Sequence, residues 1–206
     1  MGPVAPIGMV MEVSMSRTGW QFTLATAILL VGIPCCSVGL TLRPPPTAPC
    51  EIETLLVDES VLPMAWEQQG PPRAKSAPVR FGVERIGTVF STPTFGGGLQ
   101  HIYRARDKRE ATKGYHDFVG DFFSTRDTET EWEIPPEITF RSQVADQDHL
   151  GCSTHIRSSV RRCQFIAQYE VYIVRFDADM SEVMTYAGFE RILQDIDSRM
   201  TQCLNR

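Results

Sequence analysis

Apolar and polar residues change rhythm along this chain, and each rhythm names an element. Residues 21–42, QFTLATAILLVGIPCCSVGLTL, carry no charged side chain, and about twenty such residues are enough to cross the hydrocarbon core of a bilayer. From Val79 the positions alternate, with Val79, Phe81 and Val83 apolar against Arg80, Gly82 and Glu84, which marks a strand with one wet face. The phase changes at Arg85 and Ile86, where a bulge would reset it. Residues 91–98 read as a loop, with Gly96, Gly97 and Gly98 a flexible hairpin tip, and 99–105 return as a second strand. Over 107–123, Ala111, Tyr115, Phe118, Val119, Phe122 and Phe123 recur at helical spacing, with Lys108, Arg109, Lys113, Asp117 and Asp121 opposite. Gly114 and Gly120 in this helix each cost about 1 kcal/mol relative to alanine, so tertiary packing must hold it.

The acidic stretch 124–131 reads as an exposed loop ending at Trp132. A third strand begins at Ile138, Phe140 and Ser142 after Pro135 and Pro136, and 145–155 supplies a fourth. Residues 163–173 form the plainest strand, with Cys163, Phe165, Ala167, Tyr169, Val171 and Ile173 on the core side and Gln164, Gln168 and Glu170 on the other. Ile166, Tyr172, Val174 and Phe176 are mixed into that second side, so it is partly covered as well. Thr185 can cap a last helix whose stripe is Phe189, Ile192, Leu193, Ile196, Met200, Cys203 and Leu204. The order strand, strand, helix, strand, strand, long strand, helix predicts an α+β fold: an antiparallel sheet of about five strands packed against two main helices.

What precedes this domain sets its place. Met15 is a plausible start, giving a compact charged head before the apolar core, with residues 1–20 on the cytoplasmic side. The run at 21–42 admits three outcomes: a transmembrane anchor, lipidation at Cys36, or cleavage after a small residue such as Gly39. All three put the rest outside. RPPPTAP at 43–49 is stiff and extended because successive prolines forbid helix, and it makes a stalk between membrane and domain. The domain runs over 50–206, opening with a short helix or turn at 51–56, an apolar stretch at 62–66 and a loop through 67–78.

Cysteine usage suits an oxidising compartment. Cys50, Cys152, Cys163 and Cys203 lie beyond the apolar run and permit three pairings. Spacing favours Cys152 with Cys163, facing across a hairpin, and Cys50 with Cys203, tying the first residues of the domain to its last helix. The net charge of −5 and the lack of a basic run argue against a nucleic-acid partner. The single asparagine, Asn205, cannot begin a glycosylation sequon.

Candidate chemistry is sparse. His149 and His155 flank Cys152 and, with Asp146 and Asp148, make the densest group of possible metal ligands, but six residues of unbroken strand span about 20 Å, too far for one ion. His116 and Asp117 are adjacent on a helix and cannot face one another. Ser153 and Ser158 have no positional support as nucleophiles, and no nucleotide, zinc-protease or hydrolase fingerprint is present. Neither a cofactor nor a metal is expected.

The stretches Leu55, Leu56, Leu62, Pro63 and Trp66; Ala145, Asp146 and Cys152; Cys163, Ala167 and Tyr169; and Met184, Thr185 and Phe189 together resemble uncharacterised membrane-anchored or lipoprotein domains of bacteria. In outline the chain is also similar to the extracytoplasmic sensor domains of some bacterial kinases and to PsbP-like domains. The resemblance implies a small disulfide-stapled domain that binds something outside the cell membrane, and it carries no catalytic residues over. The reading that follows is a non-catalytic, membrane-anchored, extracytoplasmic binding or accessory domain, sensor-like or a subunit of a membrane complex, with a small ligand or a protein as partner. The alternatives are a structural envelope protein acting through exposed aromatics such as Trp132, and an unrecognised hydrolase.

Overall fold

The computed structural model describes residues 50–76, 82–92 and 96–205. The run at 21–42 with Cys36, the stalk at 43–49 and the strand start at 79–81 lie outside the described residues. Among the described residues no helix is long and apolar enough to cross a membrane. Among the described residues seven strands, β1 (Glu67–Gln68), β2 (Arg73–Ser76), β3 (Glu84–Ser91), β4 (Gly97–Arg104), β5 (Gln147–Thr154), β6 (Arg161–Tyr169) and β7 (Tyr172–Asp179), form one sheet, and α1 (Lys108–Phe122) and α2 (Tyr186–Leu204) pack on it. The sheet runs β1-β3-β4-β7-β6-β5, with β2 also pairing β3, and every pairing is antiparallel. The α+β class and the helix-packed antiparallel sheet are as the periodicity indicates.

The strand count exceeds the expected five for two reasons. Part of the segment read as a loop after Trp66 supplies β1 and β2, which pair with β3. The supposed long strand is a hairpin: Tyr169 pairs with Tyr172 across Glu170 and Val171. The turn has no glycine, asparagine or proline, so no local signal marks it. Glu170 takes φ 51, a left-handed conformation that costs a non-glycine residue about 1 kcal/mol or more. Its surroundings hold it there: the Glu170 N–H donates to Asp146 at 2.7 Å and its carboxylate accepts from Lys108 of α1 at 3.0 Å. The two-residue connection also reverses parity. The core face takes Cys163, Phe165, Ala167 and Tyr169 from β6 but Tyr172, Val174, Phe176 and Ala178 from β7, and Ile173 falls on the opposite face.

Three smaller expectations are corrected. The ladder of β3 on β4 is unbroken through Arg85 and Ile86, so no bulge forms there; the core face of β3 carries the polar Thr88 between Ile86 and Phe90, which disguised its alternation. Gly97 and Gly98 belong to β4 rather than to a loop tip, and a Cβ on Gly98 would stand 2.7 Å from the Trp66 ring, so the glycine makes room for the indole. Residues 138–142 are not a strand. Ile138 and Phe140 are buried, but the N–H groups of Thr139 and Phe140 donate to the Glu190 carboxylate of α2, and the Ser142 hydroxyl donates to Asp197 at 2.8 Å. Alternation reports alternate burial; it does not say which groups satisfy the backbone.

Both faces of the sheet are apolar, each against its own helix. One core joins Ile102, Phe165, Val174 and Phe176 to Phe189, Ile192, Leu193, Ile196 and Met200 of α2 and to Ile52, Leu55 and Leu56. The second joins Tyr103, Ile166 and Ile173 to Ala111, Tyr115 and Phe118 of α1. Caps fix both helix starts: Asp107 accepts from the Glu110 N–H at 2.8 Å and Thr185 from the Gly188 N–H at 3.2 Å. Cys50 bonds Cys203, and Cys152 bonds its register partner Cys163.

Candidate functional site

Helix α1 covers only part of its sheet face. Beyond Phe122 that face turns polar, because successive cross-strand rows there carry polar side chains: His101 beside Arg175, then Asp177 and Gln164 next to Leu99, then Asp179, Arg162 and Ser153. The chain leaving α1 folds back over the outer strand β5. A single 3-10 turn (Thr125–Asp127) starts it, and isolated bridges of Thr128 to His155 and of Glu133 to Cys152 fasten it. Trp132 on this connection is half-buried. Its indole N–H donates to the Ser124 carbonyl at 3.3 Å and its ring meets Phe123 edge-on at 4.9 Å, so it packs into the wall rather than standing free for protein contacts.

The result is a cavity of about 200 Å³. Its floor is Ser153, Arg162, Gln164 and Arg175, its walls are Phe122 and Trp132, and Asp121, Ser124, Asp127, Thr128 and His155 form its rim. Both floor guanidiniums are held by carboxylates from β7. Arg162 donates to Asp179 at 2.8 Å, and Arg175 donates to Asp177 while lying 3.7 Å from the centre of the Phe122 ring. Asp177 is 2% exposed; burial raises its pKa above the ordinary carboxylate value, against the pull of Arg175 and Arg162. Two buried atoms of the floor residues have no hydrogen-bond partner, the Arg175 Nε and the Gln164 Oε1. The Arg175 guanidinium is bonded elsewhere, to Asp177, whereas Gln164 is 7% exposed with its carbonyl oxygen unpaired, which is rare for a polar group inside a protein.

His101 lies next to Arg175 and over Gly87, where a Cβ would stand 2.1 Å from the imidazole, so only glycine seats the ring. Burial first, then the Arg85 and Arg175 guanidiniums, lower its pKa from 6.5 to about 4. Between those two values the unfolded chain takes up a proton that the folded chain refuses. Stability linked to His101 is therefore whole above pH 6.5 and is lost as the pH falls towards 4. Asp177, with its pKa raised, acts in the opposite sense, since the folded state takes its proton first as the pH falls. Comparing urea melts of the parent and His101→Gln at pH 7 and pH 4.5 is expected to show an acid-induced loss about 2 kcal/mol smaller in the variant, after allowance for solvent screening. Equal losses would mean that His101 is protonated in the fold.

The residues weighed as metal ligands go to separate partners. Asp146 binds Lys108 at 2.5 Å and the Glu170 N–H, and His149 meets the Phe123 ring edge-on at 4.3 Å. His155 accepts from the Arg157 N–H at 3.4 Å, and burial raises the pKa of Asp148. Among the described residues no three His, Cys, Asp or Glu side chains are placed to hold a metal ion. Ser153 and His155 share the cavity, but the Ser153 hydroxyl donates to the Thr130 carbonyl at 2.6 Å, so it is not aligned on the imidazole as a nucleophile would be. His116 and Asp117 are exposed on α1. Sequence reasoning missed Gln164, Arg162 and Arg175. The available signal was the alternation Arg175, Asp177, Asp179 in β7 beside Arg162, Gln164, Gln168 in β6, which puts a row of charge and amide on one face of two adjacent strands.

No protein-family model matches the chain, and no curated protein sequence matches it. Among solved structures the chain is similar to the extracellular domain of PknH from Mycobacterium tuberculosis, with a TM-score of 0.53 and 10% identity over 73% of this chain and 94% of that one. At that identity the likeness is one of fold, and it accords with the extracytoplasmic-domain outline suggested by the motifs.

Proposed function

We propose that this chain is a non-catalytic, extracytoplasmic binding domain, held to a membrane by residues 21–42 and spaced from it by the stalk at 43–49, and that the cavity at the end of α1 takes a small ligand. The observation that carries the binding part is Gln164, a nearly buried carboxamide that lines the cavity and whose Oε1 is buried without a partner. A buried polar group without a partner costs about 1–3 kcal/mol, a cost that a ligand able to bond it offsets. Two disulfides and a fold neighbour that is itself an extracellular domain support the location.

Thermal melts of the full-length chain against a library of water-soluble metabolites test the binding part. A true ligand raises the midpoint by mass action, and Gln164→Leu is expected to abolish the rise while leaving the unliganded protein as stable or up to about 1 kcal/mol more so, because the orphan amide is gone. A rise that survives Gln164→Leu would place the site elsewhere. Alkaline phosphatase fused after Arg206 is expected to be active outside the cytoplasm; activity only inside removes the membrane part of the reading.

A further inference from the structure

We infer that the ligand of this cavity is an uncharged polyol the size of one sugar ring, an inference that rests on the binding reading above. Size is the first constraint. The cavity, about 200 Å³, is smaller than the roughly 300–1,000 Å³ of sites for drug-sized molecules, which leaves room for one ring with its substituents.

Charge is the second. Arg162 and Arg175 are each neutralised by a carboxylate already bonded to them, Asp179 and Asp177, so neither offers an uncompensated positive charge to a phosphate or carboxylate. The rim carries Asp121 and Asp127, which oppose an anion, while the guanidinium N–H groups of the floor only donate and so leave an ammonium group without acceptors there. A neutral ligand meets neither penalty. Hydrogen-bonding capacity is the third. A carboxamide offers two N–H donors and an acceptor, and each guanidinium has five N–H groups, of which the carboxylates use only some. The Ser124 hydroxyl, which accepts from the Arg126 N–H, keeps its O–H to donate, and the Thr128 hydroxyl, which donates to the Thr125 carbonyl, keeps its lone pairs to accept. A ligand hydroxyl donates and accepts at one atom, so a ring bearing several of them can serve this mixed lining where a group that only donates or only accepts cannot. Shape is the fourth. The Trp132 indole is held by its bond to Ser124 and its contact with Phe123, a fixed aromatic wall for the C–H face of such a ring.

Ligand-observed saturation-transfer NMR on the full-length chain in detergent tests this, with glucose, galactose, mannose and N-acetylglucosamine, and their methyl glycosides, set against inorganic phosphate, glutamate and spermidine. Transfer to the protons of at least one neutral sugar is expected, with affinity reduced at least tenfold in Gln164→Leu. Loss of transfer on methylation marks a free sugar, and its retention marks the end of a glycan. Binding of a charged probe, lost in Gln164→Leu, with no sugar bound overturns the polyol assignment and leaves the binding reading standing. If no probe in either set binds in a Gln164-dependent way, both fall. Should Gln164→Leu fail to fold by circular dichroism, Trp132→Phe, which keeps an aromatic against Phe123, is expected to weaken sugar binding severalfold, and an unchanged affinity there overturns the proposal.

Discussion

Replacing both Cys50 and Cys203 by alanine is expected to lower the free energy of unfolding by about 5 kcal/mol, the value that loop-closure entropy assigns to a crosslink enclosing about 150 residues. The partners are 153 positions apart in sequence and their Cα atoms 5.7 Å apart in space, so the bond removes a large set of conformations from the unfolded chain. It also tethers the segment that buries Ile52, Leu55, Leu56 and Val57 against the sheet and α2. Apart from that packing, few hydrogen bonds fasten residues 50–57 to the sheet and α2: the Tyr172 hydroxyl donates to the Cys50 carbonyl at 3.2 Å, the Val57 N–H to the Gln100 side chain at 2.8 Å, the Gln100 amide to the Leu55 carbonyl, and Arg199 to the Thr54 carbonyl at 3.5 Å. Against a typical total of about 5–15 kcal/mol, the loss takes most of the stability. Urea unfolding of the parent and the double variant, without reductant, measures it. A difference under about 1 kcal/mol would show that packing alone holds the segment or that the bond does not form in the native protein. The Cys152–Cys163 bond closes a loop of only about a dozen residues, worth about 3 kcal/mol by the same reasoning. Both its sulfur-bearing residues are fully buried, which shields them from thiol exchange.

Phe165→Ala is expected to cost about 4 kcal/mol and Ile166→Ala about 3, although the two residues are neighbours in one strand. Each is 0% exposed, and they serve different cores. Phe165 meets the Phe140 ring edge-on at 5.6 Å on the α2 face, whereas Ile166 belongs with Tyr115 and Phe118 on the α1 face. A sheet with one wet face would make Ile166→Ala nearly neutral, as surface changes usually are. Denaturant midpoints of the two single variants decide the matter, and a cost under about 0.5 kcal/mol for Ile166→Ala would remove the second core.

The consequence for the site is direct. Because α1 covers the sheet only as far as Phe122, the same face that is core beneath the helix becomes the cavity floor beyond it. Gln164 and Ile166 lie two residues apart on one side of β6, one facing the cavity and one facing α1. The stability of the α1 core and the shape of the cavity are therefore coupled through a single strand, and a change at Ile166 should disturb any ligand bound at Gln164.

Much of this architecture is legible in the residue order. The helices around Tyr115 and Ile196, the strand around Phe165 and the α+β class all follow from periodicity, because a side chain that must leave water repeats with the geometry of its own backbone. Local chemistry also marks the Thr185 cap. The four outer cysteines allow three pairings by count, and spacing only ranks them. The hairpin at Glu170, the use of Glu190 to satisfy residues 139 and 140, and the cavity around Gln164 are not legible in this way. Each depends on a group arriving from a distant part of the chain: Asp146 and Lys108 at the turn, the last helix at the irregular segment, and the connection after α1 over β5. Sequence by itself determined which residues had to be buried and the rhythm in which they are buried. Tertiary structure alone decided which partner satisfies each polar group left among them, and that is where the candidate site lies, since two atoms of residues lining the cavity, the Gln164 Oε1 and the Arg175 Nε, have no partner within the protein.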